Sequence, residues 1–230
     1  MKKKIIFWGS ASQAVVLEES ISYSGTEIVA VFDNDTSAKS PIDGVPIYYK
    51  KEGFEGWMSQ HQEEELYFAV AIGGEHGNVR LEIHDYLKAY GLIPFQCVHP
   101  TSFIANNATI GEGCQILARS VICARSNLGR SVVVNTLADI DHECTIGDGA
   151  HVSGNVIVAG GGTIGRMAFI GVGAAILPRL TIGKNAIIGG GAVVTKDIPD
   201  NAVAYGNPAK VHYYRDAAGN RLEIDEVQGK

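Results

Sequence analysis

The sequence predicts two joined architectures: an α/β domain of the doubly wound, Rossmann-like kind, followed by a parallel β-helix. Three observations carry this expectation. From Ile104 to Val194 an aliphatic residue stands at every sixth position, 16 in register without a miss. With Ile, Leu and Val at about a quarter of positions, the odds of that are on the order of 10⁻¹⁰, and repeats of fixed period mark solenoids. Residues 3–98 instead alternate short apolar strands with segments of helical spacing, the pattern of parallel βαβ units. Finally, 230 residues at 46% hydrophobic content, with a mean hydropathy of +0.07, suit one large globular domain or two modest ones.

Taken in order, Lys4 to Trp8 reads as a short buried strand that stops at the turn Gly9-Ser10-Ala11-Ser12. From Gln13 to Ser22 apolar residues recur at helical spacing (Val15, Val16, Ile21). Ile28 to Phe32 is a second strand ending at Asp33-Asn34-Asp35, and the loop around Gly44 and Pro46 leads to a third strand or edge segment. Leu66 to Ile72 is a strongly apolar strand closed by Gly73-Gly74, and a helix continues from about His76 to Tyr90, ending at Gly91. Phe95 to Val98 reads as the last strand, with His99-Pro100 as the joint to the repeats.

In a doubly wound sheet, ligands sit beyond the carboxyl ends of the strands. Gly9 to Gln13, Asp33 to Asp35 and Gly73-Gly74 therefore fall along one rim. The first turn is a poor dinucleotide fingerprint, because GxGxxG would need glycines where Ala11 and Gln13 or Ala14 stand. Asp33 nonetheless lies 24 residues after Gly9, close to where an acid meets a ribose hydroxyl. A packing domain with an ordinary helix cap at Ser12 is the other reading of these residues.

A period of six is neither helical nor a plain strand alternation. It suits a coil whose short strands meet at turns, each sending one aliphatic side chain into a narrow core. Gly follows the aliphatic at 111, 129, 147, 165, 171, 183 and 189, where a tight corner is expected to need a residue free of Cβ constraints. The coil is expected to end near Asp197-Ile198-Pro199-Asp200. This divides the chain into residues 1–98, 99–212 and a polar tail at 213–230, in which Gly219-Asn220 is a hairpin-turn signal.

The formal charge of −6 argues against a nucleic-acid binder, since phosphate affinity rests on clustered Lys and Arg. Lys2, Lys3 and Lys4 imitate the start of a signal peptide, but the apolar run from Ile5 stops at Gly9. No stretch approaches the length of a membrane span. The four cysteines (Cys97, Cys114, Cys123, Cys144) show no CxxC spacing, which points to a reduced, cytoplasmic setting without a metal site.

A β-helix alone is a scaffold, so its chemistry must lie in particular side chains. The segment from Asn135 to Cys144 carries Asp141-His142-Glu143 between the core positions Ile140 and Ile146. Acids flanking a histidine stabilise its imidazolium form. A base tuned near neutral pH can then take a proton from an amine or hydroxyl as it attacks. A solvated polar corner is the alternative. Cys144 as a nucleophile is disfavoured by its place in the hexad. His151 comes nine residues after His142; a triangular coil can bring it near, but the repeat alone does not put the two in contact. Gly160-Gly161-Gly162 would let a ligand approach and offer an amide to an oxyanion, although a tight corner explains it as well.

The hexads, the segment Asn135-Thr136 through Asp141-His142-Glu143-Cys144-Thr145-Ile146-Gly147, and Gly206-Asn207-Pro208-Ala209-Lys210 resemble the left-handed β-helix acyltransferases. The extra βαβ domain narrows the resemblance to sugar acetyltransferases like those that make bacillosamine, and to their sialic-acid O-acetyltransferase relatives. It covers residues 3–212 and implies a Rossmann-like N-terminal domain followed by a left-handed parallel β-helix. By the same resemblance His142 is the catalytic base, Glu143 increases its basicity and Asn135 helps shape the active site. Acetyl-CoA would lie between subunits of a homotrimer, touching His151, Gly160, Val172 and Gly190. The nucleotide of the sugar substrate would meet Gly9, Ser10, Ala11, Ser12, Gln13, Asp33, Asn34, Asp35 and Gly73. Where the family's first turn reads Gly-x-x-Gly-His, this chain has Gly9-Ser10-Ala11-Ser12-Gln13, so UDP, GDP and dTDP all stay open.

The expected activity is acetyl transfer from acetyl-CoA to the amine of a nucleotide-linked amino sugar for surface glycan synthesis. Two alternatives accompany it: O-acetylation of a sugar hydroxyl with the same base, and a non-catalytic sugar-nucleotide-binding scaffold, which would have no need of the His-acid pair.

Overall fold

The computed structural model describes residues 2–62 and 64–225. Strands β1 (Lys4–Trp8), β2 (Glu27–Asp33), β3 (Ile47–Tyr49), β4 (Leu66–Val70) and β5 (Ile93–Pro94) form a five-stranded parallel sheet in the order β3-β2-β1-β4-β5. Helices α1 (Ser12–Ser22), α2 (Lys50–Met58) and α3 (Gly77–Ala89) connect them. Strand β1 is apolar beyond Lys4 because the sheet is covered on both faces. Ile5 and Phe7 pack with Leu17 and Val31, while Ile6 and Trp8 pack with Phe32, Phe54 and Phe68. Chain order reverses between β1 and β4, which opens a crevice at their carboxyl ends.

Two departures from the sequence expectation have simple causes. Helix α2 is not foreshadowed by the sequence pattern, since Gly53 and Gly56 dilute its helical signal and Phe54 and Trp57 are its only buried residues. The strand expected over Phe95 to Val98 is divided. Phe95 hydrogen-bonds toward β4 through its N–H, whereas Cys97–Val98 pairs with Gln115–Ile116 as the first rung of the coil.

The rest of the chain winds through three strands per 18 residues, as in the pairing of Val133 with His151 and of Val121 with Asp139. Three walls result. The domain-facing wall carries Cys97, Gln115, Val133, His151, Phe169 and Ile187. The apolar wall carries Phe103, Val121, Asp139, Ile157, Ala175 and Val193. The threonine wall carries Thr109, Asn127, Thr145, Thr163 and Thr181. From Ile116 to Val194 every sixth-position aliphatic is buried, while Ile104 and Ile110 at the open end are partly so.

The corner glycines are needed for want of a Cβ, as expected, and the reason is stacking rather than backbone conformation. Gly111 and Gly165 have ordinary φ, but a Cβ on either would lie 2.4 Å and 2.5 Å from backbone atoms of the next coil. Close coil stacking is what requires them. The left-handed position falls two residues later, and side chains as large as Leu137, Glu143 and Arg179 occupy it.

Arg80 of α3 joins the two parts. It is fully buried and donates to the carbonyls of Ile72, Gly74, Ser131 and Gly149. Burial lowers its pKa to about 10. The coil closes in an antiparallel pair, Ala202–Gly206 with Ala209–Arg215, and Arg221–Leu222 adds a third strand. Gly219-Asn220 does form the turn, capped by the Asp216 carboxylate. Arg215 ties this tail to Glu75 at 2.6 Å. No described helix is long and apolar enough to cross a membrane.

Candidate active site

His142 stands at the corner between the apolar and threonine walls, with its side chain half exposed. The two neighbouring acids divide their work. Asp141 accepts the His142 backbone N–H at 2.7 Å, and Glu143 Oε2 lies 3.2 Å from the imidazole Nδ1. With Glu143 ionised, Nδ1 is the donor and Nε2 is left as the basic nitrogen. Glu143 reaches the ring from a left-handed backbone (φ 59°), and its other oxygen is 3.2 Å from Arg125, one coil earlier.

Gly160 occupies the same corner one coil later. A Cβ there would lie 2.5 Å from Nε2 and 2.6 Å from Cε1 of His142, so the imidazole rests directly against the bare backbone. The Gly160 N–H has no hydrogen-bond partner among the described residues. A basic nitrogen and a free amide therefore adjoin, a pairing able to take a proton and to hold an oxyanion. Cys144 is no part of this: it is fully buried, its thiol contacts the Ala159 carbonyl, and burial raises its pKa.

A separate cleft of about 540 Å³ lies where the N-terminal rim meets the domain-facing wall. Gly9, Ser10, Ala11, Ser12, Gln13, Asp33, Asn34 and Gly73 line it, together with Asn135, His151, Ser153 and Phe169. Asp35 does not; its carboxylate caps its own turn through Ser37. Asp33 is partly engaged within the rim, since Oδ2 accepts from the Ser10 N–H at 2.8 Å and from the Ser10 hydroxyl. Gln13, though largely buried, lines the cleft, and its amide Nε2 donates to Gln115 Oε1 at 2.6 Å. Gln115 in turn donates to the Val70 carbonyl at 2.7 Å, so this chain of amides fastens the rim to the coil. The N-terminus of α1 opens on the same cleft without a side-chain cap or an acidic residue in its first turn, a setting that favours an anion.

His151 does not approach His142. Nine residues are half of an 18-residue coil, which places His151 on the domain-facing wall and His142 at the far corner. It lines the rim cleft rather than adjoining Gly160. Burial, then the nearby Arg80 charge, push its pKa down to about 3, so the ring is neutral, and its Nδ1 has no partner. Asn135, Val172 and Gly190 share the corner between the domain-facing and apolar walls, and Gly190 packs on the Val172 carbonyl. Sequence reasoning missed Ser153 and Phe169. Both take wall or corner positions of the hexad, where only the docking of the N-terminal domain makes them part of a cleft.

The family description "Bacterial transferase hexapeptide (six repeats)" matches residues 161–196. No curated protein sequence matches the chain. Among solved structures, PerB from Caulobacter crescentus, in complex with CoA and GDP-perosamine, is 31% identical over 90% of this chain and 96% of its own, with a TM-score of 0.83. The chain belongs to the hexapeptide-repeat sugar N-acetyltransferases.

Histidine variants of that perosamine N-acetyltransferase are also similar to this transferase, again with CoA and GDP-perosamine. The acetyltransferase domain of PglB from Neisseria gonorrhoeae is 29% identical over 91% of this chain and all of its own, with a TM-score of 0.81. WeeI from Acinetobacter baumannii, at 24% identity and a TM-score of 0.72, shares the left-handed β-helical fold.

Proposed function

We propose that the protein transfers the acetyl group of acetyl-CoA to the amine of a nucleotide-linked 4-amino-4,6-dideoxy sugar, for surface glycan synthesis. The observation that carries this reading is the His142 imidazole, oriented by Glu143 and seated on Gly160, in a chain 31% identical to an enzyme solved with CoA and GDP-perosamine. His142 Nε2 takes a proton from the sugar amine as its nitrogen attacks the thioester carbonyl. The Gly160 N–H holds the oxyanion of the tetrahedral intermediate. When the C–S bond breaks, the imidazolium returns the proton to the leaving thiolate, and Glu143 stabilises the charged ring between the two steps. The N-terminal rim takes the nucleotide, with the diphosphate at the start of α1 and Asp33 beside the nucleoside.

We further assign the assembly to a homotrimer packed through the apolar wall. The threonine wall is polar and the domain-facing wall is covered, but Phe103 and Ile157 on the third are 58% and 52% exposed. Three prisms joined by equivalent faces bring one corner of each against the other corner of its neighbour. The His142 corner then meets the neighbour's Asn135, Val172 and Gly190, which accounts for catalytic and cofactor candidates lying on different corners of one chain. His151, neutral and beside Asn135, is placed for the substrate end of that composite site. All four cysteines are free, which supports a reducing, cytoplasmic setting.

The test is release of CoA thiol with GDP-perosamine and with the UDP and dTDP 4-amino sugars. Wild type should turn over at least one of them, and His142→Ala should lose about 10²- to 10⁴-fold in kcat. Full activity in that variant overturns the mechanism, and base-labile product would indicate an ester rather than an amide. A monomeric mass by light scattering in an active preparation refutes the trimer.

A further inference from the structure

A second cavity, of about 380 Å³, lies behind the rim cleft, and acetyl transfer as described above makes no use of it. It arises because α3 is shorter than the wall it covers. Ser131, Gly149, Met167, Asn185 and Asn201 hold one corner of successive coils, each with its N–H on a carbonyl of the coil before. Helix α3 runs down this corner. Gly77 packs so closely on Gly149 and Met167 that a Cβ would strike them, and His84 meets Ser131 at 3.0 Å. The helix begins at Gly77, so Asn185 and Asn201, one and two coils beyond Met167, stand past its first residue and line the cavity. The hairpin from Arg215 to Gly219 walls the other side, fastened by the Arg215–Glu75 pair. His76 and Phe169 border both cavities.

The charged groups of this wall are engaged with one another. Arg215 is paired with Glu75, and the Asp216 carboxylate accepts from the N–H groups of Ala218 and Asn220 and from the Asn220 amide. Three carboxamides remain. Asn185 donates to Asn201 Oδ1 at 3.0 Å, which leaves the Asn185 carbonyl oxygen and the Asn201 amide open, and the Asn78 side chain has no partner among the described residues. They come from two sides, Asn78 from α3 and the pair from the coil. Met167, Phe169 and Ile187 supply apolar surface. Carboxamides set around such a surface suit a ring with hydroxyls at its rim and C–H groups on its faces. Each hydroxyl both donates and accepts, and the C–H face rests on an aromatic ring. The volume falls at the small end of the range for ligand sites, about 300–1,000 Å³, which is room for one such ring.

We propose that this cavity is a second carbohydrate site, which takes one uncharged saccharide ring and is separate from the rim cleft. Asn185 and Asn201 hold the ring's hydroxyls from the coil, and Asn78 holds them from α3. The site requires nothing of the chemistry at His142.

Saturation-transfer NMR and calorimetry on the full chain test it, with N-acetylglucosamine and fucose as probes and glucuronate and guanosine as contrasts. A neutral sugar should bind with a Kd on the order of 1 mM, the affinity open to so small a ligand. Asn185→Ala and Asn201→Ala should each weaken it about threefold, and the double variant about tenfold, as expected for lost hydrogen bonds. Ala218→Trp, which fills the cavity from the exposed hairpin, should abolish binding. Asp33→Ala, in the rim cleft, is the control and should leave sugar binding unchanged. Glucuronate should bind about fivefold more weakly than the neutral sugars, because the wall carries the carboxylates of Glu75 and Asp216 against the one guanidinium of Arg215. A wild type that binds neither sugar overturns the assignment. So does sugar binding that survives Ala218→Trp and the double variant unchanged, or that is lost in Asp33→Ala. Glucuronate bound as tightly as the neutral sugars, or guanosine bound here in their place, overturns the choice of ligand. A melting temperature near that of wild type in each variant excludes misfolding as the cause, and none of these outcomes depends on turnover.

Discussion

Adding a single methyl group at Gly160 should lower kcat about a hundredfold while leaving both substrates bound. The built Cβ lies 2.5 Å from His142 Nε2, whereas ordinary contact begins at 3.4 Å, so the ring must retreat by about 0.9 Å (3.4 − 2.5). Misplacing a catalytic group by roughly 1 Å costs on the order of 10²-fold, because the reacting atoms no longer meet in line. Rotating the ring instead would break its 3.2 Å contact with Glu143 and lose the tautomer that leaves Nε2 basic. Gly160 has no left-handed φ, so alanine fits the backbone and the fold should persist. The assay is steady-state thiol release by Gly160→Ala, with calorimetric affinities for CoA and the sugar nucleotide and a thermal melt alongside. A kcat within about threefold of wild type, in a variant that binds both substrates, would refute the seating of His142 on Gly160 as a condition of catalysis.

Two further outcomes are expected. Asp33→Ala should raise the KM for the sugar nucleotide about ten- to a hundredfold and leave the KM for acetyl-CoA unchanged, through direct loss of an acceptor and release of the Ser10 loop it holds; unchanged affinity for GDP, UDP and dTDP would show that Asp33 lies off the nucleotide's path. His151 binds a proton in the unfolded chain near pH 6.5 but in the folded chain only near 3, so stability is fully present above 6.5 and falls as pH drops through that window. Denaturant titrations at pH 7, 6 and 5 should show a shallower acid loss in His151→Leu, by at most about 1.4 kcal/mol per pH unit. Burial also lowers the pKa of His84 at the same interface, so part of the slope should survive, and an unaltered slope would mean His151 does not titrate as its burial implies.

What the sequence by itself determined was the repetitive part. Sixteen aliphatics in register specify a coil because a period of six satisfies only short strands meeting at corners. His142 and Glu143 could be placed on such a corner by counting from Ile140 and Ile146. The rim residues came from strand ends in an alternating βαβ pattern.

What only the tertiary structure decided was which of these residues face one another. A spacing of nine on a triangular coil left open whether His142 and His151 meet, and 18 residues per turn set them half a coil apart. Gln13 lines the rim cleft where strand order puts it, but nothing in the pattern reveals that its amide is held by Gln115, 102 residues away. Arg80 is an ordinary helix position in the sequence, yet it holds Gly74 to Gly149 across the joint. The coil is legible because its contacts recur at a fixed short interval along the chain. The joint between the N-terminal domain and the coil is not, because it consists of contacts made once, between distant segments, with no period to reveal them.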